Sequence, residues 1–302
     1  MRRLAPHLLA GLPMSRRATA SATLACLLAV GTLADANATM VRFAAGSTEV
    51  AAHWLPAPAV SAPRPALVLL HGCGGLYRRD GRTLAARYTE YAQRLHAAGY
   101  RVLLPDSFGA RGSESICSQP NRERRVTVAM RGEDALAAVR WLASQPEVDP
   151  RRIALLGWSH GGSTTLAAIN GAQLTHAVPH AVPHAAPLAG AVAFYPGCGA
   201  FLRNDYALDA PLLMLLGASD DWTPPQRCLE LERQIRARQP QALLSVAVYP
   251  DSHHGFDGRQ AVRFRSDVPN GVDRRGVHVG GNPAARAAAL ARLDEFLTQI
   301  FR

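Results

Sequence analysis

The most informative part of the sequence is Ile153-Ala-Leu-Leu-Gly157-Trp158-Ser159-His160-Gly161-Gly162. Its first four residues form a continuous apolar run, which is typical of a strand buried on both faces of a parallel sheet. The run enters a Gly-x-Ser-x-Gly motif, and residues 163–170 have helical character. Glycines are needed around a serine on so sharp a turn, because a Cβ there would collide as the helix closes on the strand. The motif predicts Ser159 as a nucleophile, whereas a glycine-rich turn with Ser159 as a local cap is the structural alternative.

Similar apolar runs recur along the chain and alternate with stretches of helical spacing. We expect strands at 66–70, 101–104, 153–156, 190–195, 212–216 and 243–249, helices at 84–98, 132–144, 226–238 and 283–301, and an initial hairpin formed by 41–50 and 51–55. This alternation predicts the α/β class, with a mostly parallel central sheet, helices on both faces and a single domain over 39–302. The composition, 48% hydrophobic and 19% charged, excludes a wholly disordered or fibrous chain.

An acid and a base follow later strands in the order that this kind of site requires. Asp220 comes just after the run 212–216, and we prefer it to Asp221 as the orienting carboxylate. His254 precedes Gly255-Phe256 after the last strand, and we prefer it to His253 as the general base. The structural alternative for Asp220 is a loop or helix-cap residue. The two histidines, taken as an isolated pair, are equally typical of a solvent-facing loop.

Two backbone N–H groups are candidates for an oxyanion hole. One belongs to His160, directly after the nucleophile, and the other to Cys73 in the loop Leu70-His71-Gly72-Cys73-Gly74-Gly75. A phosphate-binding loop is a poor alternative, because the segment has neither a Gly-x-Gly-x-x-Gly pattern nor a P-loop lysine.

The first 38 residues have the pattern of a secretory signal. Arg2, Arg3, Arg16 and Arg17 precede an uncharged stretch over 18–34, which ends at the cleavage signature Ala36-Asn37-Ala38. Met14 is an alternative start that gives a signal of ordinary length. A spanning helix is less well supported, because the run is short and rich in Ala, Ser and Thr. We therefore expect a bacterial protein exported to the periplasm or beyond the cell, with no stable membrane insertion after the signal is removed.

Four cysteines remain after removal of this segment: Cys73, Cys117, Cys198 and Cys228. In an exported protein they allow three pairings, and the sequence does not choose among them. Our working expectation is Cys198–Cys228 with Cys73–Cys117. No Cys-x-x-Cys spacing indicates a metal site, so neither a metal nor a cofactor is expected.

Two further features bear on partners. The net charge is +10, but the arginines are scattered and no nucleic-acid-binding motif is present, so no nucleic-acid partner is expected. The segment His176-Ala-Val-Pro-His180-Ala-Val-Pro-His184-Ala-Ala-Pro187 repeats every four residues, and its prolines exclude a helix. A tolerated low-complexity loop is the favoured interpretation, with metal binding by the three imidazoles as the alternative.

Taken together, these motifs resemble those of the dienelactone hydrolase family of α/β-hydrolases. The matching segments are His71-Gly-Cys-Gly-Gly-Leu76, Leu104-Pro105-Asp106, Gly157-Trp-Ser-His-Gly-Gly162, Gly217-Ala-Ser-Asp220 and His254-Gly255-Phe256. An exported bacterial branch is similar in Pro105-Asp106-Ser107-Phe108-Gly109, in Tyr195-Pro196-Gly197-Cys198 and in a cysteine-containing helix near 228. The resemblance implies a hydrolase of small esters or lactones with no large lid and no metal. Trp158 and Arg111 are candidate substrate contacts, since Arg111 lies near a region that the family uses for a substrate carboxylate.

Two departures from the family pattern weaken dienelactone itself as the substrate. Ser159 stands where the namesake enzymes have a cysteine, and Gly72 stands where they have an acidic residue that tunes the thiol. Other functions on the same scaffold are an acyltransferase, a peptidase or a non-catalytic binding protein. A metal-dependent hydrolase using the histidine repeat is a further alternative.

Overall fold

The centre of the fold is an eight-stranded sheet. It is seen in a computed structural model that describes residues 38–56, 62–172, 188–203 and 205–302. The strands are β1 (Thr39–Ala45), β2 (Thr48–Leu55), β3 (Arg64–Leu70), β4 (Arg101–Pro105), β5 (Val148–Trp158), β6 (Gly190–Phe194), β7 (Leu212–Gly217) and β8 (Leu244–Tyr249). Their order across the sheet is β1-β2-β4-β3-β5-β6-β7-β8. Strands β3 to β8 pair in parallel, and the hairpin β1–β2 joins them through an antiparallel pairing of β2 with β4.

Helices cover both faces of this sheet. They are α1 (Ala86–Ala97), α2 (Val128–Ala143), α3 (His160–Ala168), α4 (Pro225–Arg238) and α5 (Pro283–Ile300). One apolar core lies under α2, α3 and α4, and the other lies under α1 and α5. Strand β3 contributes to both, because Val68 and Leu70 face the first core while Leu67 and Leu69 face the second. Burial on both faces explains its continuous apolar sequence, and the predicted fold class is confirmed.

Two local features differ from the sequence expectations. The first hairpin turns at Gly46-Ser47, not at residues 50–51, because Gly46 adopts a positive φ of 59° and Ala45 pairs with Thr48. A second hairpin was not predicted at all. Its strands, β9 (Arg263–Arg265) and β10 (Val277–Val279), have only three residues each, too few for a visible alternation.

Both expected disulfides are present in the structure. Cys73 is bonded to Cys117, and Cys198 to Cys228. The first bond attaches the loop after β3 to the segment after β4, and the second attaches the segment after β6 to α4.

Ala38 onward belongs to one compact unit, Asn37–Arg302. In the described part of the chain no helix has the length and apolarity needed to cross a membrane. The proposed signal segment, apart from Ala38, and the repeat 176–187 lie outside the described residues.

Candidate active site

Ser159 lies on the sharp turn between β5 and α3. Its φ of 55° and ψ of −117° are strained for a residue with a side chain. A Cβ at Gly157 would lie 2.2 Å from the Gly161 carbonyl oxygen, and one at Gly161 would lie 2.0 Å from the Leu70 carbonyl oxygen. The two glycines therefore allow the contact of strand, helix and neighbouring loop that the motif predicts. The backbone N–H of Ser159 donates to the Phe194 carbonyl oxygen at 2.9 Å, which fixes the turn to β6.

The side chains of Ser159, His254 and Asp220 meet at the carboxyl edge of the sheet. His254 Nε2 lies 2.9 Å from Ser159 Oγ, and His254 Nδ1 lies 2.8 Å from Asp220 Oδ2. Asp220 and His254 are only 4% and 5% exposed, so solvent screens their interaction weakly. A carboxylate at Nδ1 favours the Nδ1–H tautomer, which leaves the Nε2 lone pair directed at the serine hydroxyl. This arrangement can accept the Ser159 proton.

The carboxylate of Asp220 is held by its own loop. Oδ1 accepts hydrogen bonds from the backbone N–H groups of Trp222 at 2.9 Å and Thr223 at 2.8 Å. Thr223 Oγ1 lies 3.0 Å from Asp220 Oδ2 and 3.1 Å from His254 Nδ1. These contacts fix which oxygen faces the imidazole.

Aromatic rings pack against the imidazole of His254, and the second hairpin holds its backbone. The rings of Tyr195 and Trp222 each have their centroids 4.6 Å from it. The Gly280 N–H donates to the His254 carbonyl oxygen at 3.1 Å, and Val279 forms a parallel bridge with His254. The two rings therefore limit the orientation of the imidazole, and the hairpin fixes the backbone that carries it.

The neighbouring alternatives face elsewhere. The Asp221 carboxylate lies 2.7 Å from His278 Nδ1 and accepts the His278 backbone N–H at 2.9 Å. His253 Nδ1 lies 2.9 Å from the Ser219 carbonyl oxygen. Of the two acids and two histidines considered from the sequence, the structure brings Asp220 and His254 together with Ser159.

The two candidate oxyanion donors belong to segments that line a common space with Ser159. Cys73 and Ser159 line two adjoining cavities, and His160 lines one of them. In the described part of the chain, no hydrogen bond occupies the backbone N–H of Cys73 or of His160. Both donors are therefore available to a substrate oxygen.

A buried arginine that sequence analysis missed joins these two segments. Arg131, on α2, donates from Nη2 to the His71 carbonyl oxygen at 2.7 Å and from Nη1 to His160 Nδ1 at 2.8 Å. Burial lowers the pKa of Arg131 to about 10, which still leaves it charged at neutral pH. Burial, reinforced by the Arg131 charge, lowers the pKa of both His71 and His160 well below 6.5. Both imidazoles are therefore neutral, and His160 Nδ1 is an acceptor.

The candidate substrate contacts Trp158 and Arg111 have structural partners. Trp158 is fully buried, and its Nε1–H donates to Asp257 Oδ2 at 3.0 Å. The residue lines one of the two cavities that contain Ser159, but its indole packs against Phe194. Arg111 makes a bidentate ion pair with buried Asp134, at 2.8 and 3.0 Å. Arg111 does not line either cavity that contains Ser159 within the described residues. Its guanidinium is therefore engaged by Asp134 in this structure, and its contact with a substrate stays a prediction.

Asp257 is a second residue that sequence analysis missed. It comes three positions after His254 and is fully buried. Its carboxylate accepts hydrogen bonds from the Tyr195 hydroxyl at 2.6 Å and from the Trp158 indole N–H, and Oδ1 lies 3.2 Å from Arg87 Nη2. It thereby fixes the tyrosine that packs on the His254 imidazole. The only sequence signal was an acid close to the His-Gly-Phe segment.

Ser159 stands between two cavities. One, of about 390 Å³, is lined by residues that include Tyr195, His254, Arg87, Arg263 and Arg265. The other, of about 590 Å³, is lined by residues that include Val126, Val128, Ala200 and Phe201. Trp222 and Cys73 line both. These volumes are in the range of small-molecule sites.

Comparison with known proteins agrees with this architecture. The sequence model described as the dienelactone hydrolase family matches residues 51–301. The quorum-quenching protein AidA of Acinetobacter baumannii is 32% identical over 114 residues, which are 38% of this chain and 34% of that protein. This chain thus spans about a third of the length of that curated relative.

Solved structures share the fold over most of their length. A dienelactone hydrolase-like promiscuous phosphotriesterase from metagenomic libraries is 23% identical, with a TM-score of 0.60 and coverage of 88% of this chain and 99% of that one. A thermophilic esterase from the planctomycete Thermogutta terrifontis is 16% identical, with a TM-score of 0.60 and coverage of 87% and 92%. At these identities the likeness establishes the fold alone.

Proposed function

The chain belongs to the dienelactone hydrolase family. From that premise we propose that it is an ester hydrolase, which cleaves small carboxylic esters or lactones through a Ser159–His254–Asp220 triad. The observation that carries the proposal is the pair of contacts made by one imidazole, 2.9 Å to Ser159 Oγ and 2.8 Å to Asp220 Oδ2. A serine hydroxyl needs such a base, because it is a weak nucleophile while it keeps its proton.

The proposed reaction has two steps. Ser159 Oγ attacks the carbonyl carbon while His254 Nε2 takes its proton, and the carbonyl oxygen becomes an oxyanion held by the N–H groups of Cys73 and His160. Collapse of this intermediate breaks the bond to the alcohol oxygen, which receives the proton from His254. Water, deprotonated by His254, then hydrolyses the acyl-enzyme and regenerates Ser159. Asp220 stabilises the imidazolium throughout.

The two cavities beside Ser159 support an ester with two separate portions. An acyl group and an alcohol group extend in different directions from a carbonyl carbon at the nucleophile, and each cavity is large enough for a small group. A lactone keeps both portions in one ring and fits the same space. These proportions favour small substrates over long acyl chains.

The test is hydrolysis of p-nitrophenyl esters of increasing chain length and of simple lactones. We expect Ser159→Ala to abolish turnover without loss of the fold, and Ser144→Ala, at the exposed end of α2, to keep it. Retained turnover in the Ser159→Ala variant would contradict the assignment. Transfer of the acyl group to added alcohols in preference to water would favour an acyltransferase, and turnover of peptides alone would favour a peptidase.

We further propose that residues 1–38 are a signal removed on export, so that the mature protein works in the periplasm or outside the cell. The two disulfides support an oxidising compartment. Amino-terminal sequencing of the protein from a periplasmic extract tests this, and a mature chain beginning at Thr39 is the expected result.

A further inference from the structure

We propose that Asp221, His253 and His278 form a binding site for one divalent transition-metal ion of the zinc type, which fastens the β9–β10 hairpin to the loops carrying Asp220 and His254. One candidate ligand atom from each of the three residues lies within 4.8 Å of the other two. None of the three residues belongs to the histidine repeat of the sequence or to the set assigned to ester hydrolysis.

The ligand types favour a late transition metal. Two imidazole nitrogens and one carboxylate oxygen suit Zn²⁺, Co²⁺ or Ni²⁺, whereas Mg²⁺ and Ca²⁺ prefer oxygen ligands alone. In a tetrahedral zinc site with bonds near 2.0–2.1 Å, ligand atoms lie about 3.4 Å apart. A pair of ligand atoms at the 4.8 Å limit must therefore approach by about 1.4 Å. Side-chain rotation can supply this, because His278 and Asp221 are 46% and 32% exposed at their side chains.

Hydrogen bonds already orient two of the ligands for this role. His253 Nδ1 lies 2.9 Å from the Ser219 carbonyl oxygen, so it carries the proton and leaves the Nε2 lone pair free for a metal. Such a bond from the second ring nitrogen is the usual support of a metal-binding histidine. The Asp221 carboxylate accepts the backbone N–H of His278 at 2.9 and 3.2 Å, which holds it beside that imidazole. With three protein ligands, a fourth position is left for water.

The site would connect the hairpin to the catalytic loops. Asp221 and His253 directly follow and precede Asp220 and His254 in the chain, while His278 lies on β10. Arg263 and Arg265 of the same hairpin line the 390 Å³ cavity. An ion here would thus stabilise one wall of the substrate site from outside, without contacting the ester.

Cobalt and zinc titrations test the proposal directly. The chain, purified without a polyhistidine tag and treated with chelator, is titrated with CoCl₂ while the visible absorption is recorded, and ZnCl₂ is added as competitor. We expect one Co²⁺ per chain, displaced by Zn²⁺, with affinity at least ~10-fold weaker in His253→Ala and in His278→Ala. The triple variant His176→Ala/His180→Ala/His184→Ala, which removes the other histidine cluster, should bind as the unmodified chain does.

Hydrogen exchange provides a second readout that does not depend on the variants. Zinc should slow amide exchange over residues 263–281 in the unmodified chain and leave α2 unchanged. Absence of Co²⁺ and Zn²⁺ binding at ~1 mM would overturn the proposal. So would binding that survives both single substitutions but is lost in the triple variant. In either case the Asp221–His278 contact would be a hydrogen-bonded pair only, and the proposed ester hydrolysis would be unaffected.

Discussion

Replacement of Asp220 by asparagine tests whether the carboxylate sets the tautomer of His254. The amide oxygen of the new side chain can keep the two hydrogen bonds from the Trp222 and Thr223 backbones, because both go to Oδ1. The amide nitrogen then faces His254 Nδ1 across the present 2.8 Å contact. As a donor it requires Nδ1 to be an acceptor, so the ring proton moves to Nε2. His254 can then no longer take the proton of Ser159.

We expect Asp220→Asn to cause a large loss of kcat and a small loss of stability. A carboxylate-to-amide change at this position of a serine triad lowers kcat by about 10⁴-fold, which corresponds to about 5.4 kcal/mol of transition-state stabilisation. Loss of one charge-assisted hydrogen bond reduces the free energy of unfolding by about 1.5–3 kcal/mol. Steady-state hydrolysis of p-nitrophenyl acetate and urea unfolding measure the two quantities.

A matched variant separates the local effect from the general loss of a charge. Asp205 pairs loosely with Arg238 at 3.5 Å and its side chain is 97% exposed, so Asp205→Asn should retain full activity. A folded Asp220→Asn protein whose kcat stays within about tenfold of the unmodified chain would refute the tautomer argument.

Three further outcomes are expected. Arg131→Lys should lower kcat about tenfold with little change in KM, because one ammonium group cannot hold both the His71 carbonyl and His160. A change confined to KM would count against a positioning role for Arg131. His71 and His160 are neutral in the folded protein and take up protons on unfolding below pH 6.5. The free energy of unfolding, measured in urea, should therefore be steady above about pH 7.5 and fall by about 2–3 kcal/mol by pH 5.5. His160→Gln should halve this fall. The double variant Cys198→Ala/Cys228→Ala should unfold about 3.6 kcal/mol more easily, from the 30-residue separation of the two cysteines, and an unchanged urea midpoint would contradict this.

Local patterns in the sequence were sufficient for the sheet and the nucleophile turn. The apolar run before Gly157 is continuous because β5 is buried on both faces, and Gly157 and Gly161 are required by backbone contacts next to them in the chain and at the end of β3. Such constraints leave a signal in a short window of residues. The β9–β10 hairpin leaves none, since it is held by contacts with His254 and Asp221 that are remote in sequence.

The rest of the candidate site depends on long-range contacts. Arg131 is 60 residues from His71 and 29 from His160, so nothing around α2 indicates that its guanidinium joins two loops. Arg111 shows the opposite case, where a polar residue near a family substrate region is held by Asp134. Choosing Asp220 over its neighbour likewise depends on the direction in which each carboxylate leaves the loop.

Reaction with a fluorophosphonate probe, followed by peptide mapping in a mass spectrometer, tests the proposed chemistry most directly. We expect a single adduct, on the Ser159 hydroxyl, and loss of ester hydrolysis in proportion to the labelled fraction. Hydrolysis that continues in fully labelled protein, or an adduct formed on a different residue while Ser159 stays unmodified, would contradict it.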